Sequence, residues 1–300
     1  MNTLRMNYTE CPVCNAVEIE KVLDAIDYTV SSENFEIWQC NGCSFRFTQG
    51  IPNAENIGTY YQAKNYISHS DTQEGLIYKI YHLVRTHTLK LKRKLIESVT
   101  GKFKGNLLDV GAGTGAFAKT MQNAGWLVIG LEPDDGARRN ALEKNGLNLL
   151  TPDNLYNLET ASLDVITMWH VLEHVHDLHG YFDKYYSVLK PDGKLIIAVP
   201  NYTSFDAEFY NKHWAAYDVP RHLYHFSPYS MDVLAEAKGF QVIAIQPMWF
   251  DSFYVSMLSE QYKSSKNRYL QAFWSGFVSN LKTIFDHKKC SSIIYILEKK

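Results

Sequence analysis

An α/β fold built on a mostly parallel sheet is predicted for the larger part of this 300-residue chain, with a small metal-stapled ribbon ahead of it. Three observations predict it. From residue 105 onward, near-continuous apolar strands alternate with helical stretches, the pattern of a sheet covered on both faces. One of those strands runs straight into a glycine turn and a helix. Four of the five cysteines form two Cys-x-x-Cys pairs near the N-terminus.

The ribbon is assigned to residues 1–50. Its pairs, Cys11-Pro-Val-Cys14 and Cys40-Asn-Gly-Cys43, are separated by 25 residues. Each pair offers two thiolates from a tight knuckle, and two knuckles complete a tetrahedral zinc site. Four thiolates leave no open coordination position, so Cys11, Cys14, Cys40 and Cys43 are read as ligands of a structural Zn2+. Disulfides or a redox pair suit the pattern less in the cytoplasmic setting expected here, since Met1–Glu10 lacks the apolar stretch of a signal peptide. A segment this short has too little core to fold firmly without a staple. Trp38, Phe45 and Phe47 are expected to pack over the first knuckle. Cys290, alone, reads as a packed thiol.

Residues 51–104 form a connector and an amphipathic helix. Gln49–Asn53 is a turn, Tyr60–His69 is rich in aromatics, and Asp71–Glu74 resembles a capped helix start. From Leu76 to Val99 apolar residues recur at helical spacing. Lys79, Arg85, Lys90, Lys92, Arg93 and Lys94 crowd this helix and are read as a solvated face in preference to phosphate contacts. The main domain, residues 105–300, has predicted strands at Asn106–Val110, Trp126–Leu131, Asn148–Leu150, Leu163–Met168, Lys194–Val199, Gln241–Gln246 and Ser292–Leu297. Helices are predicted at 115–124, 135–145, 181–189 and 230–238. An insertion at 251–290 has a helical pattern in Tyr269, Phe273, Phe277, Leu281 and Phe285. It is read as packing on its own domain, with a lid, a dimer surface or a membrane-surface patch as the alternatives.

The chemistry concentrates at the first strand of this domain. Leu107-Leu-Asp-Val110 leads into Gly111, Gly113 and Gly115, and a helix follows at once. Such a turn lets a ligand lie against bare backbone N–H groups at a helix N-terminus. Glu132 ends the next strand about 20 residues on, where an acidic side chain can accept hydrogen bonds from both ribose hydroxyls. Gly111-x-Gly113-x-x-Ala116 also satisfies the loose dinucleotide fingerprint. Asp109 tips the choice, because a carboxylate beside the loop suits an amino group and a sulfonium charge better than a pyrophosphate.

Asp109-x-Gly-x-Gly-x-Gly resembles motif I of class I methyltransferases that use S-adenosylmethionine (SAM). The resemblance implies a Rossmann-like sheet, mostly parallel with its last strand antiparallel. It implies a cofactor pocket made by Asp109, Gly111, Ala112, Gly113, Gly115, Glu132, Pro133, Asn154 and Leu155. The segment Thr167-Met-Trp-His-Val-Leu-Glu-His-Val-His-Asp177 resembles motif IV of small-molecule methyltransferases. That likeness places Trp169 and His170 beside SAM and His174 facing the methyl-transfer space. His170-x-x-Glu173-His174 also matches an inverted zinc-protease pattern, which requires both histidines on one helix face; here it straddles a strand end, which excludes it. It is similar as well to the Glu-x-x-Glu-His of some quinone O-methyltransferases that hold a divalent ion, with His170 in place of the first Glu. Finally, Trp214–Pro228 contains Asp218-x-Pro-Arg-His-Leu-x-His-Phe226, which resembles a bacterial methyltransferase group with an N-terminal zinc ribbon. Together these likenesses cover nearly the whole chain. Arg221 is a candidate clamp for an anionic substrate group, or else the partner of Asp218 under a loop; His222 or His225 is a candidate proton acceptor.

The resulting expectation is methyl transfer from SAM to a small-molecule acceptor: a sugar, a phenol or quinone precursor, or a lipid-linked glycan. The alternatives are a zinc-ribbon rRNA methyltransferase, an NAD-dependent oxidoreductase and a non-catalytic zinc-binding adaptor. A net charge of −2 gives no reason to expect nucleic acid. No run is apolar enough to span a membrane, and the oligomeric state is left open.

Overall fold

The computed structural model describes residues 5–61, 76–264 and 268–300, with side chains from 84 onward in the first helix. The N-terminal strands are β1 (Arg5–Met6), β2 (Ile19–Ile26), β3 (Asn34–Cys40), β4 (Arg46–Thr48) and β5 (Ile51–Pro52). Helix α1 (Leu76–Thr100) follows; the predicted start at Asp71–Glu74 lies outside the described residues. Then come β6 (Asn106–Val110), α2 (Ala116–Asn123), β7 (Leu127–Leu131), α3 (Asp135–Asn145), β8 (Leu163–Trp169), α4 (Leu178–Val188) and β9 (Leu189–Pro200). The chain ends with α5 (Phe205–Tyr210), β10 (Tyr224–His225), α6 (Pro228–Ala237), β11 (Phe240–Pro247), α7 (Asp251–Ser264), α8 (Tyr269–Phe285) and β12 (Ser292–Lys299).

The main sheet has six strands in the order β11-β12-β9-β8-β6-β7, and β6 runs parallel to both β7 and β8. Six consecutive residues of β8, Leu163–Met168, are buried, as are the last six of β9. Burial without alternation means that both faces are covered, as the apolar runs predict. The predicted strand Asn148–Leu150 shrinks to one bridge between Leu131 and Leu150. Leu147 and Leu149 instead pack with Ala118 and Ala141, and Pro152, which lacks an N–H, opens a 3-10 turn.

The described residues divide into two compact units. One holds those of Met1–Asn65, His170–Leu178 and Ala198–Tyr295; the other holds those of Tyr66–Trp169, His179–Ile197 and Ile296–Lys300. In the first unit the ribbon belongs with the C-terminal third of the chain. Ala25, Phe35 and Ile37 share a core with Tyr210, Trp214, Tyr217 and Val219. Strand β4 pairs with β10, Tyr224 opposite Phe47 and His225 opposite Arg46. Phe45 packs edge-on against Phe226, with ring centroids 5.2 Å apart, so this aromatic serves the C-terminal segment and not only its knuckle. Five short strands are too small for a core of their own, and these aromatics supply one.

A buried ion cluster completes the unit. The Arg221 guanidinium, 1% exposed, donates to both carboxylate oxygens of Asp218 at 2.7 and 3.0 Å, to Asp27 at 3.0 Å and to the Tyr60 carbonyl at 2.9 Å. Asp27 also accepts the backbone N–H groups of Thr29, Val30 and Ser31, which shapes the turn between β2 and β3. Burial alone would raise the Asp27 carboxyl. The Ser31 N–H and the Arg221 charge outweigh it and hold the group below the usual carboxylate range. Removing one partner strands the other charge in the core. Asp27→Ala is therefore expected to lower stability by about 3 kcal/mol, read by urea unfolding of the full chain. A loss under 1 kcal/mol would contradict this account.

Candidate active site

In the second unit, strand β6 ends in Asp109-Val110 and the chain turns at Gly111, Gly113 and Gly115, all with positive φ. A Cβ on Gly113 would meet nothing within 4 Å, because this backbone faces a cavity of about 380 Å³. A cavity of that size falls in the range of small-molecule sites. Asp109, Gly111, Ala112, Gly113, Phe117 and Trp169 line it, at the carboxyl ends of β6 and β8 where ligands of such sheets bind. Gly115 has another role. A side chain there would strike Leu147 at 2.9 Å, so this glycine lets the loop close on α3 and its following turn.

Glu132 is pinned by two backbone donors, the Gly113 N–H at 2.7 Å on one oxygen and the Asp134 N–H at 2.9 Å on the other. The carboxylate is thereby fixed against the glycine turn, though Glu132 itself is not among the residues that line the cavity. Asp109 is 1% exposed and accepts the Thr167 hydroxyl at 2.8 Å. Burial pushes its carboxyl up to about 7, against the opposing pull of Thr167 and Lys92. Pro133, Asn154 and Leu155 do not line the cavity. Pro133 is exposed, Leu155 is fully buried, and the Asn154 amide bonds to Thr151.

Helix α1 supplies part of the cavity that sequence reasoning missed. Arg85, Thr88, Leu89 and Lys92 line it, and the Lys92 ammonium lies 4.1 Å from the Trp169 ring centroid. The solvated-face reading of these basic residues fails at Arg85 and Lys92. The signal was present in their spacing, since 85, 88, 89 and 92 share one helix face.

In the first unit, the residues after Trp169 form a polar cluster. His170 has φ +59°, a backbone strain of the kind found at functional sites. Its Nε2 reaches Asp251 at 2.9 Å and its Nδ1 lies 3.4 Å from Glu173. Burial disfavours the imidazolium, but Asp251 and then Glu173 hold its pKa up to about 10. His170 is thus committed to a carboxylate pair, not to the cofactor cavity as expected. Glu173 is fully buried, and among the described residues its carboxylate accepts no hydrogen bond beyond the 3.4 Å approach of His170.

His174 Nδ1 donates to the Arg221 carbonyl at 2.9 Å and lies 3.0 Å from the Tyr61 hydroxyl. His222 stands edge-on to it at 4.6 Å and donates from Nδ1 to the Ala216 carbonyl at 2.8 Å. Both rings therefore keep their lone pair on Nε2. Burial drives His174 down to about 4, so it stays neutral. His222 Nε2 is 3.9 Å from Asp218. The ligand atoms of Glu173, His174 and His222 fall within 4.8 Å of one another. The other two predicted members stand apart from this trio. Every donor group of Arg221 is taken up by the ion cluster, which leaves none for a substrate clamp. His225 is 3% exposed, bonds to Thr48 at 3.1 Å and stacks edge-on against Tyr217.

The four ribbon cysteines converge as two close pairs, Cys11 with Cys43 and Cys14 with Cys40, each at 3.5 Å between sulfurs. None is disulfide-bonded. Backbone N–H groups of Val13 and Gly42 point at Cys11 and Cys40 from 3.4 and 3.3 Å, the geometry of a metal knuckle. Tetrahedral thiolates at Zn–S of about 2.3 Å are roughly 3.8 Å apart, which this cluster fits.

Comparison with known proteins bears on both halves. A family model described as a methyltransferase domain matches residues 84–245. A ubiquinone biosynthesis O-methyltransferase of Actinobacillus pleuropneumoniae is 35% identical over 119 residues, 36% of this chain and 50% of that protein. The mitochondrial enzyme of the same name from Bos taurus is 27% identical over 164 residues, 49% of this chain and 44% of its own. The chain thus spans about half the length of the curated relatives it matches. Among solved structures, a putative sarcosine dimethylglycine methyltransferase from Galdieria sulphuraria aligns at TM-score 0.50 and 17% identity, covering 74% of this chain and 88% of its own; this likeness is one of fold.

The electrostatics of the cavity give a test. A cationic ligand such as SAM is drawn to Asp109 only when that carboxyl is ionised, and Lys92 nearby opposes the ligand otherwise. With the Asp109 pKa at about 7, SAM affinity should fall about tenfold between pH 8 and pH 6, measured by calorimetry. Asp109→Asn should bind weakly with a flat profile, and a flat profile in the native chain would contradict the assignment.

Proposed function

We propose, from the premise that this chain belongs to the methyltransferase-domain family as a class I SAM-dependent member, that it transfers a methyl group from SAM to a hydroxyl of a small phenolic or quinone-precursor acceptor. One observation carries the reading. The Asp109 carboxylate and the open glycine turn line one cavity of cofactor size, and Glu132 pins that turn through the Gly113 N–H. The hydroxyl acceptor is favoured by the ubiquinone O-methyltransferase relatives and by the lone pairs of His174 and His222.

Methyl transfer is an in-line displacement at a sulfonium carbon, and SAM supplies that electrophile when bound. The protein must orient the acceptor oxygen and remove its proton as the bond forms. In this reading Asp109 and Glu132 hold the cofactor's cationic and ribose portions. His222 takes the proton on Nε2, where Asp218 then faces the new positive charge at 3.9 Å. His174, kept neutral, offers Nε2 as a hydrogen-bond acceptor that orients the hydroxyl. Arg221 and His225 act as positioning residues beneath these two. Zinc at Cys11, Cys14, Cys40 and Cys43 is structural in this reading and takes no part in the chemistry.

A divalent cation at Glu173, His174 and His222 is a second reading. It is favoured by the buried Glu173 carboxylate, which among the described residues accepts no hydrogen bond beyond the approach of His170 and has two further imidazoles close by. Such an ion would polarise the acceptor oxygen in place of a general base.

A screen of phenolic acceptors with methyl-labelled SAM identifies the substrate. With it, His222→Ala should lower kcat by about 100-fold and leave SAM affinity within a few-fold. Full turnover by this variant would remove His222 from the chemistry. Loss of activity on chelation, restored by one divalent ion at unchanged SAM affinity, would select the metal reading instead.

The ribbon gives a separate expectation. Elemental analysis should find one zinc per chain. Cys14→Ser should lose it and lower acceptor turnover through the β4–β10 pairing, while SAM affinity is retained. Stoichiometric zinc in Cys14→Ser would contradict the ligand assignment.

A further inference from the structure

The second helix of the 251–290 insertion is packed inside out. Helix α8 buries Ala272, Ser275, Gly276, Ser279 and Thr283. Its largest apolar residues face outward: Leu270 is 82% exposed, Trp274 61% and Phe285 89%, and Phe273, Phe277 and Leu281 join them. These positions recur at three- and four-residue steps and make one continuous stripe about 25 Å long over the 17 residues of the helix. Helix α7 is mixed: Val255, Leu258 and Tyr262 pack into the core with Ser252, Ser256 and Ser259 buried beside them, while Tyr254 and Met257 are exposed.

The inner face is held by small residues and hydroxyls. A Cβ on Gly276 would come within 3.0 Å of the Phe253 Cα, so the helices touch through bare backbone. Ser252 bonds across to the Gly276 carbonyl at 3.2 Å and to Asn280 at 3.0 Å. Ser279 bonds to Asp206 at 2.8 Å, and Ser259 receives the Ala215 N–H at 2.9 Å. Helices pack in this way where apolar side chains gain nothing by turning inward, because their outer surroundings are apolar too. A water-facing hairpin has no reason to expose this many large apolar groups.

Charge selects the occupant. Residues 251–289 hold six Lys or Arg and three Asp or Glu, in a chain whose net charge is −2. Lys263 and Lys282, both exposed, lie over the Phe209 and Phe205 rings at 4.9 and 4.2 Å. That is the arrangement of an interfacial element, with apolar groups in the acyl layer and cations at the headgroups. A symmetric contact between two copies would set basic rim against basic rim. Among the described residues no helix is long and apolar enough to cross a membrane, so the hairpin would lie in the surface.

We propose that the outer face of α7 and α8 docks on an anionic lipid surface. Phe273, Trp274 and Phe277 enter the acyl boundary, and Lys263 and Lys282 meet the headgroup phosphates. The docking does not depend on the acceptor or the chemistry proposed above.

Co-sedimentation of the full chain with vesicles tests it. Binding is expected to a three-to-one mixture of phosphatidylcholine and phosphatidylglycerol, and at least tenfold weaker binding to phosphatidylcholine alone. Phe273→Ser with Trp274→Ser should weaken binding to the mixed vesicles at least tenfold while SAM affinity, measured in the same preparation, is unchanged. Should that double variant not fold, quenching by brominated lipid that is present in the native chain and reduced in Trp274→Phe gives the same answer. Equal binding to neutral and anionic vesicles, or binding to neither, would overturn the proposal. So would a dimer in sedimentation velocity that the double variant dissociates, since the occupant would then be a second copy.

Discussion

A single buried guanidinium governs the geometry of the histidine cluster. Arg221 is held from four directions, and its own backbone carbonyl accepts the Nδ1 proton of His174. Its sequence neighbour His222 is carried with it, and Asp218 serves both the guanidinium and, at longer range, the His222 imidazole. One residue therefore sets the tautomer of one histidine and the position of another. The desolvation of its charge is offset only because Asp27 and Asp218 both remain ionised. Lysine could not replace it, because one ammonium cannot span two carboxylates and a carbonyl with planar, fixed donors.

The same logic divides the ionisable groups of the two units. In the cofactor cavity a carboxyl is desolvated and left without a strong partner, so Asp109 is costly until a cation arrives. In the histidine cluster each carboxylate already has a cation beside it: Asp27 and Asp218 have Arg221, and Glu173 and Asp251 have His170. The first arrangement is poised to bind a charged ligand. The second holds its charges in place around His174 and His222.

Much of this was legible in the chain. Strand β6 is found at its predicted residues, and helix α3 likewise, because Asp134 caps it and Gly146 ends it. The cavity at the end of β6 follows from Asp109 and the glycine turn, since backbone shape there depends on residue types and not on distant partners. What could not be read depends on distant partners. Two-residue strand β10 has no period to detect, and it exists only because β4 lies alongside. Arg221 looked equally like a clamp or a structural pair. Asp27, 194 residues away, decides between them, and no local spacing names it. Lys92 was misread for another reason, as its helix face was in the sequence but the Trp169 ring it covers was not.

The pairing of β4 with β10 bears on how such a chain can change over generations. Ribbons of this kind look like portable modules, short and self-stapled at one end of a larger sheet. Here Phe45 and Phe47 complete the walls around Tyr224 and Phe226, and Thr48 accepts the imidazole of His225 as a neighbour. Deleting the ribbon would bare an edge strand and a wall of aromatic rings, an invitation to aggregate. Grafting it onto another sheet would leave its own aromatics without a floor. Ribbon and C-terminal segment are thus bound to be inherited together. Exchange of the first fifty residues alone would break both the strand pairing and the aromatic wall.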